Sequence, residues 1–536
     1  MFFAGQSCPT HRRLLSRYLE LKITRQFSTI STATLNNWIN KSLQNGNLDT
    51  ARRLFGENPM SRNTFSNNII MKGYFHSGRI GDARVLFDKM PVRDIVKWNT
   101  FLSGLCKQQD HDGVYRCYLE LRRSRILPNE YTLPMVIMAI LRTGFDGLIL
   151  QLHAQMVHWG LCSSVFVGSA LMKSYTYKRD LKALNQVFDE VLEKDVTSWN
   201  ALICGYMELG LVTIAERCFN VMPEKNVVSW TTMVYGYVKN KQIGIARDLF
   251  NKMEDKNVVS WTTMICGYVQ LNLYSSALEM FISMMESGTR PNQHTFSSVL
   301  DACAGSSSLV IGKQVHASIV KHGIPGDTIL STALVDMYAK CGDINAAHGI
   351  FEFMPKANVA LLNALMGGYA IHGMATKAIE MLYGMLKKGD LRPDHITFVN
   401  ILSACVHSGL VDEGEKIFSY MESVCCIRPR NKHYASMVDL YGRAGYLDKA
   451  VGVIMGMPFM PDVVVWGALL SACGLHSEFE LGKQAADAIH LFHHPAVYSV
   501  MSKILGEKGA WNTAIELRNS MKQKGAKKQK AGSWIN

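Results

Sequence analysis

The chain has 536 residues, 48% of them hydrophobic and 10% aromatic, which excludes an intrinsically disordered polymer. Its longest apolar stretch, Leu133 to Leu141, falls well short of the roughly 18 residues a membrane span requires, so no membrane partner is expected. The formal charge of +13 sits at the ends: residues 1–27 carry +4, and Arg518, Lys522, Lys524, Lys527, Lys528 and Lys530 carry +6. The +3 left to the rest excludes nucleic-acid binding driven mainly by phosphate neutralisation.

Residues 1–27 hold Arg12, Arg13, Arg17, Lys22 and Arg25 against a single acid, Glu20, with interspersed Phe, Leu and Ser. That is the composition of an organelle transit peptide, and Arg25-Gln26-Phe27-Ser28 resembles a mitochondrial processing site with arginine three residues before the cut. The segment is therefore set apart from the fold. A mitochondrial location is expected, with the chloroplast as the alternative.

From there the chain repeats itself. VTSWNALICGY from Val196, VVSWTTMVYGY from Val227 and VVSWTTMICGY from Val258 place Trp199, Trp230 and Trp261 31 residues apart. The 101 residues from Trp98 to Trp199 divide into lengths of 35, 35 and 31, and the 205 from Trp261 to Trp466 into 35, 35, 31, 36, 36 and 32. Thirteen repeats over 33–462 result, beginning at Ala33, Thr64, Ile95, Glu130, Val165, Val196, Val227, Val258, Gln293, Thr328, Val359, His395 and Asn431. A fixed period in this range marks a solenoid of stacked units.

Each repeat reads as a helical hairpin. Trp230, Met233, Val234 and Tyr237 recur at helical spacing, and Ile243, Ala246, Leu249 and Phe250 share one face of a second helix. Ser229 is placed as the N-cap of the first helix. Met-Pro stops the second helix at Met90-Pro91, Met222-Pro223, Met354-Pro355 and Met457-Pro458. One hairpin cannot bury its apolar stripe alone, so the fold is an all-α, right-handed superhelical solenoid of tandem helical hairpins. It has a concave face for a ligand and no division into separate globular domains. Apart from the neighbours Cys425 and Cys426 the cysteines are scattered singly, and Cys204, Cys266, Cys303, Cys405 and Cys473 are read as small core groups.

The phrases VVSWTTMI-GY, ALVDMYAKCG at Ala333 to Gly342, AR-LFDKMP-RD and SGLVDEGEKIF at Ser408 to Phe418 resemble the pentatricopeptide repeat proteins of land-plant organelles. The mixed lengths are similar to the PLS subclass, with short, ordinary and long motifs. Tetratricopeptide repeats keep a constant 34 residues. The resemblance implies single-stranded RNA recognition, one base per repeat, read by the fifth residue of a motif and its last. Ser in VVSWT would cap, Trp would enter the core, and the following residue would face the RNA.

On that reading, Asn37 with Asn63, Asn99 with Asn129 and Asn200 with Asn226 imply pyrimidines, whereas Asn68 with Asp94 and Asn363 with Asp394 imply U. Ser169 with Asp195 implies G, and Thr231 with Asn257, Thr262 with Asn292 and Thr332 with Asn358 imply A. The long motifs from Glu130, Gln293 and His395 are weak readers in the family. The expected target is Y-U-Y-n-G-Y-A-A-n-A-U. A protein-binding scaffold would instead carry large apolar patches on the concave face.

PDVVVWGALLSACGLHSEFELGK from Pro461, and the segment from Ala496 to the final GSWIN, resemble the E1 (463–496) and E2 (497–536) extensions of organellar RNA-editing factors. In longer relatives a zinc-dependent DYW-type cytidine deaminase follows. His476-Ser477-Glu478 spells HxE, but no cysteine follows Cys473, so it is read as a hairpin turn. His490, His493 and His494, at metal-compatible spacing, replace a loop usually acidic in the family. The resemblance thus implies a non-catalytic site-recognition factor for C-to-U editing of mitochondrial transcripts, without metal or cofactor. It would recruit a deaminase and other editing factors in trans, with the Asn431 motif about four nucleotides before the edited cytidine. Intron splicing or transcript stabilisation is the alternative.

Overall fold

A computed structural model describes residues 31–90, 93–144, 147–324, 328–354, 357–389, 391–488, 495–507 and 509–523. The expected transit segment, Pro91, Pro355, residues 490–494 and the final 532–536 lie outside them. The described residues form 30 α-helices and no strand. The chain divides into two compact units, Met1–Gln242 and Ile243–Asn536, a break that the repeat register does not mark. The boundary falls between the two helices of the repeat at Val227.

First helices begin on the expected residue at Thr64, Ile95, Val165, Val196, Val227, Val258, Gln293, Thr328, Val359, His395 and Asn431. The exceptions are Thr32, one residue before Ala33, and Thr132, two after Glu130. Within each compact unit a first helix packs on its own second helix and on the first helix of the next repeat. Beyond the thirteenth repeat the same pattern continues as two more hairpins, Val463–His476 with Phe479–Ala488 and Pro495–Glu507 with Trp511–Gln523.

The helix starts correct one sequence expectation. Ser229 is not the N-cap; Asn226 is, its side chain accepting from the Ser229 backbone N–H at 3.0 Å. Ser229 stands at the third helical position, is fully buried, and its Oγ accepts from the Asn226 N–H at 3.3 Å. Two orphan N–H groups are thus satisfied reciprocally, as in a capping box. The same box closes at Asn63/Ser66, Asn292/Thr295 and Asp394/Thr397.

The tryptophans pack edge-on against a phenylalanine from the preceding second helix. Phe87–Trp98, Phe188–Trp199, Phe219–Trp230 and Phe250–Trp261 have ring centroids 4.7–5.1 Å apart. A cation approaches the same phenylalanine, Arg93 at Phe87, Lys194 at Phe188, Lys225 at Phe219 and Lys256 at Phe250. Each lysine also donates to a carbonyl just past its helix, Val191, Met222 or Met253, where the negative end of the dipole favours it. The Lys-Asn and Lys-Asp pairs before each new repeat are therefore structural on their first residue.

Neighbouring first helices approach closely at the glycine of the repeated phrase. A Cβ at Gly236 would lie 2.3 Å from Met207 Cγ, and one at Gly104 2.1 Å from the Phe75 ring. Of the cysteines placed in the core, Cys303, Cys405 and Cys473 are buried while Cys204 and Cys266 are half-buried. Burial pushes the Cys303 thiol up to about 12 and those of Cys405 and Cys473 up to about 11.

Candidate nucleic-acid interface

The last residue of each reading repeat is the N-cap of the next first helix. Oδ1 of Asn63, Asp94, Asp195, Asn226, Asn257, Asn292, Asn358 and Asp394 accepts from the backbone N–H three residues on, at 2.8–3.0 Å. Asn129 Oδ1 accepts from Thr132 N–H in the same way at 3.1 Å, although the helix there begins only at Thr132, two residues after the repeat does. With Oδ1 committed, the atom left for a ligand is Nδ2 in an asparagine and Oδ2 in an aspartate. The first only donates and the second, when ionised, only accepts.

Asp394 and Asp195 are held ionised. Burial raises Asp394, but the Thr397 N–H, the Asn363 amide and the Thr397 hydroxyl outweigh it and bring the carboxyl below its ordinary value. Burial likewise opposes ionisation of Asp195, and hydrogen bonds from Ser198 and Thr197 reverse the balance.

The fifth residues sit one helical turn further in. Asn68, Asn200, Thr231 and Asn363 are buried, and Asn99, Ser169, Thr262 and Thr332 half-buried. Asn99 Nδ2 donates to Asn129 Oδ1 at 3.0 Å, and Asn363 Nδ2 to Asp394 Oδ1 at 3.0 Å. Thr262 and Asn292 are linked through the Thr295 hydroxyl, at 2.7 and 3.0 Å. Each threonine gives its own proton to a carbonyl one turn back, Thr231 to Val227, Thr262 to Val258 and Thr332 to Thr328, so that only lone pairs remain. Oδ1 of Asn68, Oδ1 of Asn200 and Oγ of Ser169 are buried without a hydrogen-bond partner. Leaving such an atom unmet costs about 1–3 kcal/mol, which a ligand would relieve.

One expected site residue is misplaced by a single position. Asn37 is exposed, whereas Asn36 is buried and accepts from Ser66 Oγ at 2.6 Å, as Asn99 does from Thr132 and Asn363 from Thr397. The cause is the cap: Ser31 accepts from Thr34 N–H, starting the helix at Thr32 and moving the fifth place to Asn36. Thr231 and Asn257 belong to different compact units, and each keeps its local role there. In the long repeats from Glu130 and His395 the fifth place holds Pro134 and Val399, neither with a side-chain hydrogen-bonding group.

The structure also presents residues that the sequence reading overlooked. The second residue of a repeat is a large apolar side chain, 52–61% exposed, at Phe65, Val96, Tyr131, Phe166, Val228, Val259, Ile329 and Ile396. Tyr131 and Phe166, from consecutive repeats, have ring centroids 5.8 Å apart. The signal was present as the paired valines opening each VVSW, since a β-branched residue two places past a cap needs neither helix propensity nor burial to explain it. Where it occurs, an exposed apolar residue beside a pair of polar readers supplies a surface on which a planar base could rest. The scaffold alternative predicted large continuous apolar patches, and here the apolar residues alternate with Asn, Thr and Asp.

The HxE triplet lies at a hairpin turn. His476 bonds the Gly442 carbonyl at 2.7 Å, and Ser477 takes a left-handed φ of 58° between the two helices.

Two sets of family models match the chain: PPR repeat over 68–95, 197–227, 228–258, 330–359, 361–390, 396–426 and 432–459, and PPR repeat family over 93–142 and 256–305. A pentatricopeptide repeat-containing protein of Arabidopsis thaliana is 34% identical over 481 residues, 86% of this chain and 69% of that protein. Another is 30% identical over a 560-residue alignment, 96% of this chain and 91% of that protein. A third, described as mitochondrial, is 30% identical over 499 residues, 92% and 68% of the two chains. Other relatives are longer: this chain spans 59% of one that is 34% identical. Among solved structures, the pentatricopeptide repeat protein PPR10 in complex with an 18-nt psaJ RNA element aligns over 93% of this chain and 80% of that one, at 18% identity and a TM-score of 0.41.

Proposed function

The chain belongs to the pentatricopeptide repeat family, and on that premise we propose that it binds single-stranded RNA with one base per reading repeat. The observation that carries this is the set of buried, unpartnered polar atoms on Asn68, Ser169 and Asn200, each in the same place in its repeat. A base edge entering there, beside Phe65 at Asn68 and Phe166 at Ser169, would complete those hydrogen bonds.

The donor and acceptor pattern assigns the bases. A Thr–Asn pair offers the threonine lone pairs and the asparagine Nδ2–H, which complement the N6–H donor and N1 acceptor of adenine. An aspartate Oδ2 accepts from the ring N–H of U or G, so Asp94 and Asp394 read U and Asp195 reads G. An Asn–Asn pair presents Nδ2–H to a pyrimidine and favours the N3 acceptor of C within that class. With Asn36 in place of Asn37, the target remains Y-U-Y-n-G-Y-A-A-n-A-U, read 5′ to 3′ along the chain.

The biological role we infer is site recognition for C-to-U editing of mitochondrial transcripts. The deaminase would be supplied in trans and engaged through residues 463–536. Support comes from the likeness of that segment to editing-factor extensions and from the transit-like residues 1–27. Transcript sequencing in a loss-of-function line tests it. Loss of editing at one cytidine downstream of the target string supports the reading, and intact editing with retained introns or shortened ends replaces it with splicing or stabilisation. Truncation at Asp462 should leave RNA affinity intact and abolish editing.

A further inference from the structure

Between two neighbouring repeats, His153, Cys162 and Glu190 converge. His153 comes from Gly147–His158, Cys162 from the loop before the next repeat, and Glu190 is the last residue of Leu181–Glu190. We propose that these three side chains bind one zinc ion through Nε2, Sγ and a carboxylate oxygen, clipping the repeat at Glu130 to the repeat at Val165.

The geometry fits the ion. Nε2 of His153 and Oε2 of Glu190 are 3.4 Å apart. Zinc bonds of about 2.0–2.1 Å to nitrogen and about 2.0–2.2 Å to oxygen, at a tetrahedral angle, set the two atoms about 3.4 Å apart. One ligand atom from each of the three residues lies within 4.8 Å of the others, and closing the sulfur to a bond of about 2.3 Å needs a shift of about 1 Å. The fourth position is left for water.

Supporting groups are already in place around the ligands. Tyr175 Oη is 2.7 Å from His153 Nδ1, so a proton on Nδ1 can be given to the phenol oxygen, turning the Nε2 lone pair toward Glu190. Gln186 Nε2 donates to the other carboxylate oxygen, Oε1, at 2.9 Å. Such outer partners fix the orientation of ligands in metal sites. Cys162 is 7% exposed, and the side chains of His153 and Glu190 12% and 28%. A thiolate and a carboxylate together neutralise the dication, so this shielded position acquires no net charge.

The chain contains its own control. His316 and Tyr338 form the same bond across the same separation of 22 residues, at 3.0 Å. At the same sequence offsets from that histidine as Cys162 and Glu190 have from His153, the chain holds Pro325 and Phe353. The His–Tyr bond is therefore common to both places, and the cysteine and glutamate are what this one adds.

Full-length protein loaded with Co2+ or Zn2+ and freed of excess by gel filtration gives the test. One equivalent is expected to remain, and cobalt should show thiolate-to-metal charge transfer. Cys162→Ser should abolish that band, and Glu190→Gln, at a part-exposed position that tolerates the change, should weaken zinc at least about tenfold in competition with a chelating dye. Gln186→Ala should weaken it about tenfold with all three ligands intact. A wild-type chain that holds no more metal than Cys162→Ser, or a cobalt band unchanged in both ligand variants, would show His153–Glu190 to be a plain hydrogen-bonded pair and overturn the proposal.

Discussion

Replacing Asp394 by asparagine separates the two duties that the last residue of a repeat performs. As a cap, Asp394 accepts from the Thr397 N–H through Oδ1 at 2.9 Å, and the Asn363 amide donates to the same oxygen at 3.0 Å. Asparagine keeps an oxygen there, and the two residues rank alike at this position, so the stability change should stay within about 0.5 kcal/mol. As a reader, the residue changes sign: an ionised Oδ2 that accepts becomes an Nδ2 that donates. Against U the new donor meets the N3–H and a hydrogen bond to a charged acceptor, worth about 1.5–3 kcal/mol, is lost. Against C it meets the N3 acceptor. At about 1.4 kcal/mol per decade, U should lose roughly 10- to 150-fold and C should become the better base.

Fluorescence anisotropy with two RNAs carrying the target string and ending in U or C measures the exchange, and thermal melting monitored by circular dichroism measures the cap. Two results would exclude this dual role. One is a variant that still prefers U, which removes Asp394 from the readout. The other is an equal loss of affinity for both RNAs with a lowered melting point, which makes the residue a cap and nothing more.

The same logic run backwards predicts that Asn292→Asp, beside Thr262, moves that repeat from adenine toward guanine, checked by anisotropy with A or G at the matching position. Phe166→Ala removes a resting surface and should weaken binding by about 1–3 kcal/mol without altering base preference, which titrations with matched and mismatched RNA distinguish. Burial and the neighbouring Asp336 push Asp301 up to about 6. An acid whose folded value is raised stabilises the fold at low pH and loses that contribution as pH climbs through about 6; because the side chain still reaches solvent, which screens the effect, Asp301→Asn should stabilise the chain by about 0.5–1 kcal/mol at pH 7.5 and little at pH 4, read from chemical denaturation at both. The Asp394 carboxyl is lowered instead, so selectivity for U at its repeat should survive titration from pH 7 to pH 5.

Periodicity made the helices legible, because 31- to 36-residue spacing and helical stripes are properties of the sequence itself. What the sequence reading got wrong came from local competition that spacing does not resolve. Asn226 and Ser229 are both good caps three residues apart, and tertiary burial of Ser229 decides between them. The step from Ala33 to Thr32 has the same origin, since Ser31 and Thr34 both start helices well and the choice moves the fifth place by one residue. The apolar second residues were overlooked for a different reason: an apolar residue in a helical stripe reads as core until a structure shows it exposed. The Lys–Phe–Trp arrangement joins three separated places in the sequence and becomes visible only when the hairpins stack.

The capping geometry also accounts for which residues can stand at the reading place. Asparagine and aspartate carry two polar atoms on one planar group, so one can close the helix while the other faces outward; serine has a single oxygen for both tasks. Two of the long repeats break this arrangement together with the fifth place. Ser164, which ends the repeat holding Pro134, makes no side-chain cap, and its hydroxyl is taken by Glu130 at 3.0 Å. Arg430, which ends the repeat holding Val399, has no acceptor at all, and His433 Nδ1 meets its backbone N–H in return at 3.0 Å. Restoring the pair, with Val399→Asn and Arg430→Asp in one chain, should therefore create a U preference at the unread position that follows the final U of the target string. Because the introduced aspartate would also cap the helix at Asn431, the gain in selectivity should come with a gain in stability of about 1 kcal/mol, seen in the melting of the free protein. Selectivity without that stabilisation, or stabilisation without selectivity, would show that capping and reading are independent properties of the residue.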